Sequence, residues 1–180
     1  MRSVALVILL LALETHAANP RALPEGYSRR VWQTQDGLPE NTVQAFAQTP
    51  DNYLWIGTSG GLVRFDGASF VVYDRDNAPA MRDNSVFCLT VARDGSLWAG
   101  TDGAGLLRYQ NGAFRSYRAA EGLTNDFVRA VFQTRDGVLW AGTDDGLFRL
   151  DGERLVRVDG KGDIPALAVH AIREDSAGNL

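Results

Sequence analysis

Histidine, cysteine and excess positive charge are all scarce in this chain of 180 residues. The two histidines, His16 and His170, leave almost no general base for a nucleophilic triad. With one histidine beyond the leader and one cysteine, zinc ligation within the chain is not expected either. Cys88 stands alone, so there is no internal disulfide framework, and its place in Val86-Phe87-Cys88-Leu89-Thr90-Val91 predicts a buried structural thiol. Lysine and arginine number 18 against 22 acidic residues, a net charge of −4, which argues against a nucleic-acid partner. Nothing in these residues calls for a cofactor or a metal.

Long apolar runs are also missing, with one exception. Arg2 precedes a wholly apolar stretch from Val4 to Leu13, and small residues follow at Thr15, Ala17 and Ala18. That order is a secretory leader: a basic start, a short apolar segment and a small-residue cleavage site. The stretch is about half of the roughly 20 residues needed to span a bilayer. A signal peptide over residues 1–17, cut after Ala17, and a short lead-in over 18–27 are therefore expected. The mature chain is expected to be exported.

What the rest of the chain has is a repeat. Leu54-Trp55-Ile56-Gly57-Thr58, Leu97-Trp98-Ala99-Gly100-Thr101 and Leu139-Trp140-Ala141-Gly142-Thr143 place their tryptophans 43 and 42 residues apart. Gly-Leu follows each at 61–62, 105–106 and 146–147, then an apolar–basic–apolar step centred on Arg64, Arg108 or Arg149, then Asp66-Gly67, Asn111-Gly112 or Asp151-Gly152. Asp-Gly and Asn-Gly are hairpin turns, because those residues tolerate positive φ. Short β-prone runs lie upstream, starting at Val43, Val86 and Val128. Four short strands in about 40 residues is a β-propeller blade. The fold class is all-β, with complete blades over about 42–74, 85–118 and 127–159 and partial units at both ends of 28–180. Ser28–Trp32 reads as the last strand of another blade, and 167–180 begins the next, so the chain is expected to be a fragment of a larger ring.

The repeated residues Trp55, Gly57, Thr58, Trp98, Gly100, Thr101, Trp140, Gly142 and Thr143 are read as structural. An aromatic at the same place in every unit is what packing between blades requires. Carboxylates at Asp94, Asp102, Asp136, Asp144 and Asp145 recur around turns, where Asp satisfies backbone amides, and that reading is preferred to a calcium site or a glycosidase pair. His170, in Leu167-Ala168-Val169-His170-Ala171, is expected to sit structurally in a strand. No catalytic residue is assigned. Candidate binding loops are Ser59-Gly60, Asp102-Gly103-Ala104, Asp144-Asp145 and the segments after Tyr73 and Tyr117, since loops differ between units.

The unit Gly37-Leu38-Pro39, Leu54-Trp55-Ile56-Gly57-Thr58, Gly61-Leu62, Phe65-Asp66-Gly67, Phe70 and Tyr73 resembles the two-component regulator propeller repeat, and the next two units match nearly as well. The second departs from it at Ala78-Pro79-Ala80-Met81 and carries an extra residue, Ala104. The resemblance implies the N-terminal sensor region of a periplasmic receptor, followed by a membrane span and a histidine kinase or diguanylate cyclase. It also implies a homodimeric parent and a small-molecule or oligosaccharide ligand, with no enzymatic activity in this chain. A secreted carbohydrate-active or lectin-like propeller is the alternative, and a protein-binding scaffold a third reading. The Asp-box of sialidase-like propellers spaces its aspartate from its glycine, whereas Asp94 and Asp136 directly abut Gly95 and Gly137.

Overall fold

The computed structural model describes residues 29–158 and 167–180. The expected leader over 1–17, the lead-in over 18–27 and Ser28 lie outside the described residues. The short apolar runs, separated by turn residues, form three sheets. The first holds β1 (Val43–Gln48), β2 (Leu54–Thr58), β3 (Gly61–Phe65) and β4 (Phe70–Tyr73). The second holds β5 (Val86–Val91), β6 (Leu97–Thr101), β7 (Leu106–Gln110) and β8 (Ala113–Tyr117). The third holds β9 (Val128–Gln133), β10 (Leu139–Thr143), β11 (Gly146–Asp151) and β12 (Arg154–Arg157). Each is an antiparallel meander in chain order, one propeller blade. The first strands, β1, β5 and β9, lie side by side as the inner edge of the array.

The tryptophan strand is the second of each blade, and its two faces serve different joints. Trp55 faces the second blade with Leu62, and Leu97, Ala99 and Leu107 meet it from the other side. Trp98 faces the third blade, where Leu139, Ala141, Phe148 and Leu155 meet it. Both indoles are almost wholly buried, at 1% and 2% exposed. Trp140, whose outer face meets no further complete blade among the described residues, is half-buried. Each indole N–H needs a partner once buried. Trp55 donates to the Thr49 hydroxyl (3.0 Å) and Trp140 to that of Thr134 (3.3 Å). In the second blade Ala92 stands at that position, and the Ser96 hydroxyl accepts from Trp98 instead (3.0 Å).

The glycine two residues after each tryptophan allows the next inner strand to approach. A Cβ on Gly57 would lie 2.9 Å from Val86 Cγ1 and 3.0 Å from its carbonyl oxygen. One on Gly100 would lie 2.5 Å from Cys88 Sγ and 2.7 Å from the Val128 carbonyl oxygen. One on Gly142 would lie 2.5 Å from the Val169 carbonyl oxygen. The next residue, threonine, is fully buried in all three blades and clamps the turn that follows. Its hydroxyl donates to the carbonyl of Gly61, Gly105 or Gly146 (2.8, 2.7 and 3.1 Å). The same oxygen accepts from the amide of Gly60, Ala104 or Asp145 (3.1, 2.9 and 3.1 Å). Cys88 packs against the core between the second and third blades, and burial pushes its thiol up to about 12.

Two edges refine the sequence reading. Residues 29–33 pair with no strand, so the expected last strand ending at Trp32 is not formed among the described residues, where no sheet offers it a ladder partner. Trp32 nevertheless stands where Tyr73 and Tyr117 stand in the later blades, and packs edge-on against Phe65 (5.2 Å) and Phe70 (6.5 Å). Residues 167–174 likewise form no strand. They still begin a fourth repeat: the Val169 amide donates to the Thr143 carbonyl (2.8 Å), and the turn from Asp175 to Asn179 closes with a 2.9 Å backbone bond, as Thr49 to Tyr53 does in the first blade (3.1 Å).

Candidate functional site

The residue after each leading valine is where the repeats differ most in chemistry. Val43 pairs with Thr58 and Ala45 with Gly57, so Gln44 is an extra residue in the ladder. Phe87 is extra in the second blade and Arg129 in the third. A bulge of this kind re-aims a side chain out of the sheet. Val169, seated on Gly142 as Val86 is on Gly57, puts His170 at the fourth equivalent position. Four inner segments thus present glutamine, phenylalanine, arginine and histidine from one structural position. A groove of about 400 Å3 runs along these segments, lined by Gln44, Phe46, Phe87, Arg129, His170 and Arg173 among others. His170 is exposed here and not part of a strand, which departs from the strand expected for it.

Arg129 organises the mouth of that groove. Its Nε and Nη2 donate to the two oxygens of Asp144, both at 2.8 Å, and its Nη1 lies 3.3 Å from Asp102 on the neighbouring blade. The guanidinium also stacks over Phe87 (4.6 Å) and Phe127 (5.7 Å). The paired hydrogen bonds from Arg129 hold the Asp144 carboxyl below the usual carboxylate range. Asp145 receives Arg157 (3.1 Å) and the Thr124 hydroxyl (3.0 Å), and Asp126 receives Arg118 (2.7 Å). Phe46 and Phe127 leave large apolar surfaces in this region, 62% and 42% exposed. The arrangement offers aromatic faces and hydrogen-bonding edges on rigid strands.

Turn chemistry accounts for some of the carboxylates and not for others. Asp94 accepts from the Ser96 amide (3.0 Å) and Asp136 from the Val138 amide (3.2 Å), as turn aspartates do. Asp94 also receives Arg108, but Asp102, Asp144 and Asp145 receive arginines without capping a turn amide among the described residues, because their side chains stand opposite Arg129 and Arg157 on neighbouring strands. They belong to two of the loops the sequence nominated, which connect the second and third strands of their blades at the bulge end. The bulge positions themselves were missed. Their signal was available in Val43-Gln44-Ala45, Val86-Phe87-Cys88 and Val128-Arg129-Ala130, where a variable residue sits between a fixed valine and a small residue. Among the described residues no group of three or more His, Cys, Asp or Glu side chains is placed to hold a metal ion.

The family model for the two-component regulator propeller matches residues 37–60, 80–103 and 122–145. The blades are two-component regulator propeller repeats. In that register Leu38, Met81 and Leu123 are equivalent, and all three are buried, so the departure at Ala78-Pro79-Ala80-Met81 keeps an apolar plug at the same point. Solved structures share the fold. The extracellular domains of two candidate hybrid two-component systems from B. thetaiotaomicron are among them. BT3049 superposes with a TM-score of 0.73 at 22% identity over 83% of this chain and 22% of that one. BT4673 gives 0.66 and 24% over 82% of this chain and 21% of that one. The catalytically inactive H270A virginiamycin B lyase from Staphylococcus aureus, solved with quinupristin, gives 0.57 and 16% over 75% and 46%. The chain spans about a fifth of the length of the two extracellular domains it matches. No curated protein matches it in sequence. No helix among the described residues is long and apolar enough to cross a membrane.

Proposed function

We propose that this regulator propeller segment is an exported, non-catalytic ligand-sensing part of a bacterial signalling receptor, whose output lies in a kinase or cyclase domain of the parent protein. The observation that carries the reading is the bulge position, which varies from Gln44 to Phe87, Arg129 and His170 while the valine before it is constant. Different side chains at one position of a constant frame are what a recognition surface needs to contact a ligand. The leader-like run from Val4 to Leu13 and the likeness to extracellular receptor domains support export. Exposed Phe46 and Phe127 beside fixed Arg–Asp pairs suit the apolar face and hydroxyl edges of a sugar, so a soluble oligosaccharide is the proposed ligand class.

Two measurements test this. Residues 1–180 fused to alkaline phosphatase, an enzyme active only outside the cytoplasm, are expected to give active fusions, and inactive fusions overturn the export reading. Thermal-shift screening of the chain against soluble oligosaccharides is expected to find a stabilising glycan whose effect is lost in Phe87→Ala. Cleavage of that glycan by the chain would overturn the sensing reading in favour of an enzyme.

A further inference from the structure

The groove along the inner segments differs in charge from the chain that forms it. The sequence carries 22 acidic residues against 18 lysines and arginines. Yet no aspartate or glutamate lines the groove, whose wall holds Arg129, His170 and Arg173. Past Phe46, Leu89, Thr90 and Phe132 it continues into a second concavity of about 470 Å3, again lined by no carboxylate. Arg93 stands at the rim of that concavity, where the cavities of the joints between blades also border it. Those joint cavities, by contrast, have Asp94 in their walls. The groove wall is also graded. Its first two segments supply aromatic rings, Phe46 and Phe87, and its last two supply the cations.

Most of the charge around the groove is already answered. Arg129 is held by Asp144 and Asp102 at the mouth. Glu174, next to Arg173 in the chain, is turned onto Arg135, accepting from its amide (2.8 Å) and lying 3.6 Å from its Nε. Asp175 is spent on the turn that follows, where it accepts from the amides of Ala177 (2.8 Å) and Asn179 (2.9 Å). Arg173 is left without an ion pair among the described residues. Its Nη1 donates to the Ile172 carbonyl (2.8 Å), and its Nε and Nη2 donate to no group there. Those two nitrogens form the edge by which Arg129 grips Asp144. Such an edge takes two oxygens of a carboxylate or sulfate in a bidentate, charge-assisted contact. Aromatic rings along the same wall suit the apolar face of a sugar.

We propose that the groove takes an acidic oligosaccharide, with sugar faces on Phe46 and Phe87 and a carboxylate or sulfate group bound by the Nε–Nη2 edge of Arg173. This rests on the reading of the groove as a glycan site and adds the charge of the glycan.

Two matched pairs of probes test this by titration calorimetry on the full chain in about 0.15 M salt, where long-range attraction is screened. One pair is a galacturonate tetramer and the galactose tetramer of the same linkage. The other is a sulfated carrageenan tetrasaccharide and its desulfated form. In at least one pair the acidic member is expected to bind about tenfold tighter than the neutral one, the scale of a single charge-assisted contact. That preference is expected to vanish in Arg173→Gln and to persist in Arg149→Gln, which removes an equal charge from the third strand of the third blade. Preference in the first pair assigns a carboxylate, and preference in the second a sulfate ester. The proposal is overturned if neither acidic member is preferred, if the preference survives Arg173→Gln, or if Arg149→Gln abolishes it equally. Binding of the neutral members alone overturns it while leaving the glycan reading intact. That broader reading falls only if the wider oligosaccharide screen finds no stabilising glycan.

Discussion

The two complete joints between blades use the same frame and different fastenings. At the first, Trp55 stacks with Tyr73 (5.7 Å) and packs at a tilt against Tyr109 (4.7 Å), and Arg64 makes a long polar contact across the blades to the Tyr109 hydroxyl (3.5 Å). At the second, the core around Trp98 is largely aliphatic, and polar links surround it. The Thr90 hydroxyl donates to the Val131 carbonyl (2.8 Å), the Arg93 amide to the Gln133 side chain (2.9 Å) and the Tyr117 hydroxyl to Glu153 (3.0 Å). Arg115 also pairs with Glu153, and Arg129 reaches both Asp102 and Asp144. The Trp–Gly–Thr frame therefore fixes where blades meet, and the residues around it decide how open the meeting is.

The comparison can be broken most severely at the tryptophans. Trp98→Ala is expected to cost about 3–5 kcal/mol, as for other large buried aromatics. Trp140→Ala, which removes a half-buried ring, is expected to cost less than half as much in the same denaturant titration. Equal costs would show that burial against the next blade does not matter. The glycines come next. Gly100→Ala is expected to destabilise by about 1–3 kcal/mol through overpacking, and by more than Gly57→Ala, because the added Cβ meets Cys88 and Val128 more closely than Val86. Melting temperatures in the reverse order would refute this reading of the joints.

A smaller effect separates two ways of satisfying an indole. Ser96→Ala strands the buried Trp98 N–H and is expected to cost about 1–3 kcal/mol, the usual penalty for an unpaired buried donor. Adding Ala92→Thr supplies the hydroxyl used at Thr49 and Thr134 and is expected to recover most of the loss. A double variant no more stable than Ser96→Ala would count against equivalence. The smallest effect is electrostatic. Asp144 titrates below its ordinary value in the folded chain because of Arg129, so its stabilising contribution is present above the unfolded carboxylate pKa of about 3.9 and fades as pH falls through the lower folded value. Hydrogen exchange across acid pH is expected to show the second joint loosening below about pH 4, with that pH dependence reduced in Arg129→Gln.

The architecture was legible because its determinants are local and recur: Leu-Trp-x-Gly-Thr, Asp-Gly turns and short apolar runs reappear every 42 or 43 residues. The Met81 plug was less visible, since only its buried position shows it replacing Leu38 and Leu123. The site was mostly illegible for a physical reason. Arg129 meets Asp102 across a joint, and Asp145 meets Arg157 across a sheet, so neither pairing leaves a trace at a fixed short spacing. Gln44, Phe87 and Arg129 looked like ordinary alternating strand residues, because a bulge is a property of the ladder rather than of one strand.

The threonine clamp explains how such a protein can diversify. Thr101 bonds the Gly105 carbonyl across a turn one residue longer than those after Thr58 and Thr143, and the sheet beyond it is unchanged. The hydroxyl acts as a fixed anchorage at which turn length and strand register become independent variables. Each blade therefore has a port where residues can be added without disturbing its neighbours, so the outline of the groove mouth can be altered one blade at a time while the framework that holds it stays the same.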